Sequence, residues 1–260
     1  MLRFAANLSV MFTEWPFLDR FSAAADAGFS AIEAQFPYGQ PPEVVGRELA
    51  RNGLTAALFN IPVGDFDAGD RGFAALPDRF ADLQASVRQA LVYARACGVG
   101  RLHLLSGNAD RLDAKAVAAY RRSVAWTAEQ LATCGIELML EPINPRNMPG
   151  YFLNDFGFAA ALIRELKLSN LKLQFDVYHR QLLHGGVVDG LRGLFPLIGH
   201  IQIAGVPDRD EPDRGEIDYP SLFTEIERLG YAGFVGCEYR PRSTTLDGLG
   251  WFAPFAGRRR

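Results

Sequence analysis

Cysteine is scarce in this sequence. Its three cysteines, Cys97, Cys134 and Cys237, lie far apart in the chain, and no two of them form a C-x-x-C pair. This spacing excludes a disulfide-rich scaffold and a cysteine-based zinc site, and it is typical of small buried residues in a reducing compartment. We therefore expect a cytoplasmic protein.

Long apolar runs and a strong charge bias are also missing. No stretch approaches the roughly 18 continuous apolar residues that a membrane span needs. The N-terminal residues MLRFAANLSVMF are too short and interrupted for a secretory signal. The formal net charge is only −3, so bulk electrostatics give no reason to expect nucleic acid. We expect neither a membrane nor nucleic acid among the partners.

The sequence does contain a regular alternation of short apolar runs and amphipathic segments. The runs predicted as strands are LRFAANL, SAIEAQF, LTAALFN, RLHLLSG, IELMLEP, LKLQFDV, HIQIAG and FVGCEYR. The predicted helices between them close on Gly28, Gly53, Gly98, Gly135 and Gly230, because glycine enters the left-handed region without steric cost. Strand followed by helix, repeated along the chain, predicts one (β/α)8 TIM-barrel domain spanning residues 1–260.

A doubly wound open sheet would give a similar alternation. That fold more often carries a glycine-rich phosphate turn after its first strand, and the segment NLSVMFTEWP at that point is not such a turn. No linker or low-complexity segment divides the chain, and its hydrophobic content of 48% is enough for one large core. We therefore favour the barrel.

Oxygen-bearing side chains stand at or near the ends of the last four predicted strands. They are Glu141, Asp176, Gln202 and Glu238. In a TIM barrel the active site lies at the carboxyl ends of the strands, so these side chains would meet at one rim. Burying the carboxylates together without a counter-charge would be very costly, and all-oxygen ligands favour Mg²⁺ or Mn²⁺ over zinc. The alternative is that each acid is an ordinary strand-end residue paired with a nearby arginine.

Several motifs resemble the hydroxypyruvate isomerase family. They are NLSVMFTEWPFLDRF near the start, EPIN at 141–144, PGYFL at 149–153, FDVYH at 175–179, HIQIAGVPDRDEPDRGEIDY at 200–219, GCEYRPR at 236–242 and GLGWF near the end. The resemblance covers nearly the whole chain. This family belongs to the xylose isomerase-like barrels, metal-dependent enzymes that shift a carbonyl along a sugar or sugar acid.

The resemblance implies a reaction and assigns residues to it. Glu141 and Glu238 would be the catalytic acid and base, and both, together with Asp176 and Gln202, would hold Mg²⁺ or Mn²⁺. The expected reaction converts hydroxypyruvate to tartronate semialdehyde, or 2-oxo-tetronate to 3-oxo-tetronate, through an enediolate. Such a reaction needs general acid–base catalysis and stabilisation of charge on two adjacent oxygens. Related ketose 3-epimerases have a histidine where Gln202 stands, which makes zinc a poorer fit here.

His179, Arg209, Arg240 and Arg71 are predicted substrate ligands. His179 follows Asp176 by three residues, and the resemblance to related epimerases favours a hydrogen bond from it to a substrate oxygen. An acidic substrate needs a cation besides the metal, and the planar fork of arginine suits a carboxylate. Arg209, in the loop after the seventh strand, is the first choice, followed by Arg240 and Arg71. For each arginine, a surface ion pair is the alternative.

The remaining histidines and one long loop complete the expectations. His103 is predicted to pack in the core, His200 to open the seventh strand and face the other rim, and His184 to lie in a surface turn. The segment NIPVGDFDAGDRGFAALPDRF at 60–80 is much longer than an ordinary strand-to-helix loop. It is predicted to be a lid over the site, with a mobile surface excursion as the alternative.

Other functions stay open at this point. A ketose 3-epimerase would carry out the same enediolate chemistry at the next carbon, and a dehydratase would use the same metal and a base. A non-catalytic sugar-acid binding protein would not need two glutamates beside a metal. A phosphodiester-cleaving relative of the endonuclease IV type would need many histidines, and this chain has 4. The exact substrate, the physiological metal and whether the chain forms a homo-oligomer also stay open.

Overall fold

The computed structural model describes residues 1–256, so the end of the predicted 1–260 domain, residues 257–260, lies outside the described part. Eight parallel strands close into a barrel in the order in which they occur in the chain. The strands are β1 (Arg3–Asn7), β2 (Ala31–Ala34), β3 (Thr55–Asn60), β4 (Arg101–His103), β5 (Glu137–Leu140), β6 (Leu171–Asp176), β7 (Ile198–Ile203) and β8 (Phe234–Cys237). The predicted (β/α)8 barrel is confirmed.

Helices follow the strands around the described part of the barrel. They are α1 (Asp19–Asp26), α2 (Pro42–Asn52), α3 (Phe80–Cys97), α4 (Ala114–Ala132), α5 (Phe156–Leu166), α6 (Val177–His184), α7 (Val187–Leu194) and α8 (Tyr219–Arg228). All five glycines predicted to stop helices have a positive φ, between 62° and 96°. The sequence patterns did not single out α5, α6 and α7. None of the helices within residues 1–256 combines the length and apolar character needed to cross a bilayer.

The barrel interior changes from apolar to polar toward the carboxyl ends of the strands. A small-residue layer consists of Ala5, Ala31 and Ala57. Beyond it, the carboxylate of Glu33 on β2 contacts the side chains of His200 and Gln202 on β7. Since β2 and β7 are not neighbours in the barrel, these contacts cross its interior. The polar side chains therefore fill the centre of the barrel below the rim where the strands end.

The end of β7 is fixed by a buried tyrosine from the following helix. The hydroxyl of Tyr219 donates to the carbonyl of Ala204 at 2.7 Å and accepts from the Ala204 amide at 3.1 Å. Tyr219 is 2% exposed, so water cannot easily replace either bond. This pair of bonds holds the start of the loop that carries Arg209 toward the rim.

Tyr219→Phe should lower the free energy of unfolding by about 1–3 kcal/mol, because it leaves a buried amide and a buried carbonyl without their partner. Tyr120→Phe is the matched control, since the buried hydroxyl of Tyr120 has no hydrogen-bond partner within the described residues. That control should be neutral or slightly stabilising. Denaturant unfolding of both variants checks the prediction, and equal effects would contradict it.

Candidate active site

Two carboxylates and a histidine meet at the carboxyl ends of β5 and β6. Glu141 follows β5 directly, Asp176 ends β6, and His179 lies in the first turn of α6. Their ligating atoms all lie within 4.8 Å of one another, and all three side chains are buried. Asp176 also caps α6, because its Oδ1 accepts from the amides of Tyr178 at 2.8 Å and His179 at 3.4 Å. The cap fixes Asp176 and His179 relative to each other.

Glu238, just beyond β8, is held by nitrogen donors on three sides. Its Oε1 accepts from Asn7 Nδ2 at 3.2 Å and from Gln35 Nε2 at 2.7 Å. Its Oε2 accepts from Arg209 Nη2 at 2.7 Å. Glu141 differs, because its Oε1 is buried and has no hydrogen-bond partner in the part of the chain described. The two glutamates therefore stand in contrasting environments at one rim.

Arg209 brings a cation to these carboxylates. Its Nη2 lies 3.5 Å from Asp176 Oδ2 and 2.7 Å from Glu238 Oε2, and its guanidinium lies 5.2 Å from the centre of the Tyr178 ring. The Arg209 backbone adopts a φ of 60°, a region that non-glycine residues rarely enter. Two backbone bonds hold it there, to Gly205 and to Arg240. Strained backbone of this kind, over-determined by its surroundings, is common at functional sites.

The hydrogen bonds of His179 determine which of its ring nitrogens carries the proton. Nδ1 lies 2.6 Å from Asn144 Nδ2 and 3.4 Å from the Asn144 amide. The oxygen of the Asn144 side chain accepts from the amide of Asn147, so its NH₂ group faces the ring. Two donors facing Nδ1 make that nitrogen an acceptor. The proton of the neutral ring is therefore on Nε2, which lies 3.5 Å from Asp176 Oδ2.

Burial dominates the protonation of this cluster. It raises the pKa of Glu141 well above the usual range, and the neighbouring charges of Glu238 and Asp176 raise it further. Burial also raises the pKa of Asp176 to about 7, although Arg209 opposes the shift. Burial, with Arg209 beside it, lowers the pKa of His179 well below its ordinary value. The site therefore has more carboxylates than it can easily keep ionised without a further cation.

The cluster opens onto a cavity of about 170 Å³. Its polar lining includes Glu141, Glu238, His179, Arg209 and Arg240. Its apolar wall includes Val10, Phe36, Leu105, Ile143 and Met148. A cavity of this size with several converging polar groups suits a small polar ligand.

Comparison with known proteins identifies the family. The family model described as "Xylose isomerase-like TIM barrel" matches residues 21–255. The chain belongs to the xylose isomerase-like TIM-barrel family.

Relatives of this chain match its sequence over nearly its full length. The chain is 50% identical to the 2-oxo-tetronate isomerase of Cupriavidus necator, over 99% of this chain and 100% of that protein. It is 41% identical to the hydroxypyruvate isomerase of Escherichia coli, over 98% and 100%. A solved structure from Brucella melitensis, described as an AP endonuclease of family 2, superposes with a TM-score of 0.96 at 46% identity, covering 98% of this chain and 100% of that one. The resemblance to the hydroxypyruvate isomerase family is confirmed.

The donor set at this rim fits a divalent cation. Glu141, Asp176 and His179 could hold an ion, and the buried Oε1 of Glu141 has no hydrogen-bond partner within residues 1–256. Gln202 lies beside Asp176 in the strand register. Its Nε2 donates to Glu33 at 2.8 Å and its Oε1 accepts from Gln174 Nε2 at 2.6 Å. Mostly oxygen donors suit Mg²⁺ or Mn²⁺.

The predicted lid contributes Asn60 and Phe66 to the cavity lining, but not Arg71. Phe66, 43% exposed, lines the cavity wall. Arg71 does not line it; its guanidinium lies 3.6 Å from the centre of the Phe66 ring and donates to the carbonyls of Phe66 and Asp70 at 2.7 Å. Arg71 therefore stabilises the loop that carries Phe66, and it does not point at the carboxylates of the site.

One histidine prediction needs an addition and another needs correction. His103 is buried, as expected for a residue that packs in the core, but it also lines the cavity, with its Nδ1 3.5 Å from Glu141 Oε2. Burial lowers its pKa to about 3, so it is neutral. His200 was expected to open β7 and face the other rim. The strand begins two residues earlier at Ile198, and His200 points into the barrel interior against Glu33.

Sequence reasoning missed the amide and carboxylate side chains of the first two strands. Asn7 on β1, Glu33 on β2 and Gln35 just beyond it all contact Glu238 or Gln202. The available signal was a polar residue inside an apolar strand run, as in SAIEAQF. The sequence analysis drew its candidates from the last four predicted strands, so these residues of the first two strands were overlooked.

Asp176→Asn should stabilise chelator-treated protein more at about pH 8 than at about pH 5. In the folded protein Asp176 keeps its proton up to a pKa of about 7, whereas the unfolded chain releases it near a pKa of about 3.9. This contribution to stability is present below the unfolded pKa and is lost as pH rises through the folded pKa. Thermal midpoints of both proteins at the two pH values measure the effect. A difference that does not change with pH would contradict it.

Proposed function

We propose that this chain is a metal-assisted isomerase of short sugar acids. It would convert hydroxypyruvate to tartronate semialdehyde, or 2-oxo-tetronate to 3-oxo-tetronate. The observation that carries the proposal is the pairing of Glu141 and Glu238 beside one cavity that Arg209 also lines. The relatives named as isomerases of these two compounds support the same conclusion.

The reaction needs two proton transfers at adjacent carbons. In hydroxypyruvate, a proton leaves C3 and a proton arrives at C2, while the hydroxyl proton passes from the C3 oxygen to the C2 oxygen. Glu141 and Glu238 are the groups we assign to the carbon-bound protons, because both line the cavity. Glu238 is held in place by Asn7, Gln35 and Arg209, whereas Oε1 of Glu141 has no hydrogen-bond partner in the described part of the chain. General acid–base transfer of this kind contributes roughly 10²–10⁴-fold to rate.

Charge develops on two neighbouring substrate oxygens as the proton leaves. A divalent cation, Mg²⁺ or Mn²⁺, held by Glu141, Asp176, Gln202 and Glu238, would supply electrostatic stabilisation of that charge. The proton on Nε2 of His179 is available to donate a hydrogen bond to one of these oxygens. Its ring is held in that orientation by Asn144, so no reorganisation is needed when the charge appears.

Arg209 is the residue we assign to the substrate carboxylate. It lines the cavity beside Arg240. Its Nη2 is used by Glu238 and Asp176, but its buried Nε has no hydrogen-bond partner within residues 1–256. A guanidinium has five N–H donors in a planar fork, so Arg209 can hold the site carboxylates and still offer donors to a ligand.

An endonuclease function has less support. The name of the Brucella melitensis structure refers to such an enzyme. A multi-metal phosphodiesterase site of the endonuclease IV type would need many histidines. Two of the four histidines, His103 and His179, line this cavity. Among the residues described, one group of three or more acids, histidines or cysteines could hold a metal ion. One cation and one pair of glutamates suit proton transfer better.

Incubation with hydroxypyruvate in heavy water tests the reaction type. The wild-type protein with Mg²⁺ or Mn²⁺ should form tartronate semialdehyde and place deuterium at C3 of recovered hydroxypyruvate, faster than the protein-free control. Chelation should abolish both, and either cation should restore them. Glu141→Gln and Glu238→Gln should each lower turnover by at least about 10²-fold. The double variant should lose much less than the product of the two, because the pair acts as a unit.

Four results would contradict parts of the proposal. Full activity after exhaustive chelation would reject the metal. Turnover within a few-fold of wild type in either glutamine variant would make that glutamate a ligand or bystander. Binding of sugar acids without exchange would favour a non-catalytic binding protein, whereas epimerisation of neutral ketoses in preference to sugar acids would favour a ketose 3-epimerase.

Substitution of Arg209 tests the assignment of the carboxylate. Arg209→Ala should lower kcat/KM for hydroxypyruvate about 10–100-fold more than for dihydroxyacetone, which has the same number of carbons and no carboxylate, since a hydrogen bond to a charged group contributes about 1.5–3 kcal/mol. Arg209→Lys should also be impaired, because lysine offers a point charge instead of a fork. Arg242→Ala is the control, since Arg242 pairs with Asp210 and Glu211 outside the cavity. Equal losses on both substrates would reject the assignment.

A further inference from the structure

Glu33 is a buried carboxylate to which the proposed reaction gives no role. It lies on β2 inside the barrel and is 1% exposed. Side chains from two other strands face it: His200 Nε2 contacts its Oε1, and Gln202 Nε2 and Asn7 Nδ2 donate to its Oε2 at 2.8 Å and 3.3 Å. Every one of these partners can present an N–H group, which is the arrangement that an acceptor-only carboxylate requires.

The barrel provides space for this carboxylate at one position on β8. A Cβ atom built at Gly236 would overlap the Glu33 carboxylate. Gly236 therefore leaves the room that Glu33 occupies, and it lies two residues before Glu238. Alanine at 236 would force the Glu33 carboxylate to move.

The carboxylate determines which end of the Gln202 amide points toward it. A flipped Gln202 would place its oxygen at 2.8 Å from a carboxylate oxygen, and two acceptors at that distance repel. The nitrogen of Gln202 therefore faces Glu33, and its oxygen faces the opposite side, where Gln174 Nε2 donates to it at 2.6 Å. An amide oxygen has two lone pairs, so Oε1 has acceptor capacity left for a second partner.

We propose that Glu33 is a positioning residue that fixes the Gln202 amide so that its oxygen, and not its NH₂ group, is presented to a divalent cation at the rim. This inference rests on the proposed function, because it gives Gln202 the role of a metal ligand. Asn7 extends the same arrangement to Glu238, since its Nδ2 lies 3.3 Å from Glu33 Oε2 and 3.2 Å from Glu238 Oε1. One buried carboxylate thereby orients two groups at the site.

Calorimetric titration with Mn²⁺ alone tests the inference without relying on turnover. Glu33→Gln keeps the size of the side chain but can turn either end of its own amide toward Gln202, so the orientation of Gln202 is no longer selected. The Kd for Mn²⁺ should rise by about 10–100-fold, the usual effect of losing an outer partner of a metal ligand. Glu225→Gln is the matched control, because Glu225 is a buried carboxylate on α8 that pairs with Arg192 and Arg228, and none of these three residues lines the cavity. The Kd of this control variant for Mn²⁺ should equal that of the wild-type protein.

Exchanging the side chains at positions 33 and 202 distinguishes a positioning role of Glu33 from general damage to the barrel. In the double variant Glu33→Gln, Gln202→Glu, the NH₂ group and the carboxylate exchange places, so the pair is complementary again and position 202 again presents oxygen. The double variant should bind Mn²⁺ at least about tenfold more tightly than the product of the two single effects predicts, which is the signature of direct coupling. If Glu33→Gln does not fold, a folded double variant that binds Mn²⁺ supports the inference, and a folded one that binds none overturns it.

The outcomes distinguish this inference from the function on which it rests. A wild-type protein that binds no Mn²⁺ would overturn the metal-assisted function and this inference with it. Tight wild-type binding, together with a folded Glu33→Gln variant of equal affinity or with additive effects in the double variant, would overturn the positioning role alone.

Discussion

An excess of buried negative charge at one rim of the barrel is the constraint on which the rest of the site depends. Glu141, Asp176 and Glu238 converge there, and Arg209 contacts two of them. Each buried charge costs several kcal/mol unless it is compensated, so the pKa of Glu141 and of Asp176 is raised. Arg209 supplies one positive charge to this cluster, and a divalent cation is the further positive charge that we propose for it.

The two glutamates of the site have different hydrogen-bond partners, and this difference suits two chemical roles. Glu238 accepts from three side chains, whereas Oε1 of Glu141 has no hydrogen-bond partner among the residues that the structure describes. Pairs of titratable groups whose surroundings differ in this way are how enzymes separate an acid from a base. Glu33 acts below them as the acceptor that fixes the direction of the surrounding amides. The polar side chains inside the barrel therefore orient the side chains at the rim above them.

The sequence predicts the part of the site that stands on the last four strands and misses the part on the first two strands. Asp176 follows an apolar run and could be placed because a parallel barrel brings all strand ends to one rim. Glu33 could not be placed, because its partners His200 and Gln202 lie on a strand that is distant in sequence and not adjacent in the barrel. Such contacts depend on barrel closure and register. The position of the Arg71 side chain depends on a loop conformation that no periodic sequence pattern predicts.

The position of Mn²⁺ in crystals, located from its anomalous scattering, tests most directly whether one cation balances these carboxylates. We expect one ion bounded by oxygens of Glu141, Asp176, Gln202 and Glu238, with Glu33 still facing the nitrogen of Gln202. Crystals soaked in Mn²⁺ that carry no ion between these residues, with Arg209 left as the cation of the cluster, would contradict it.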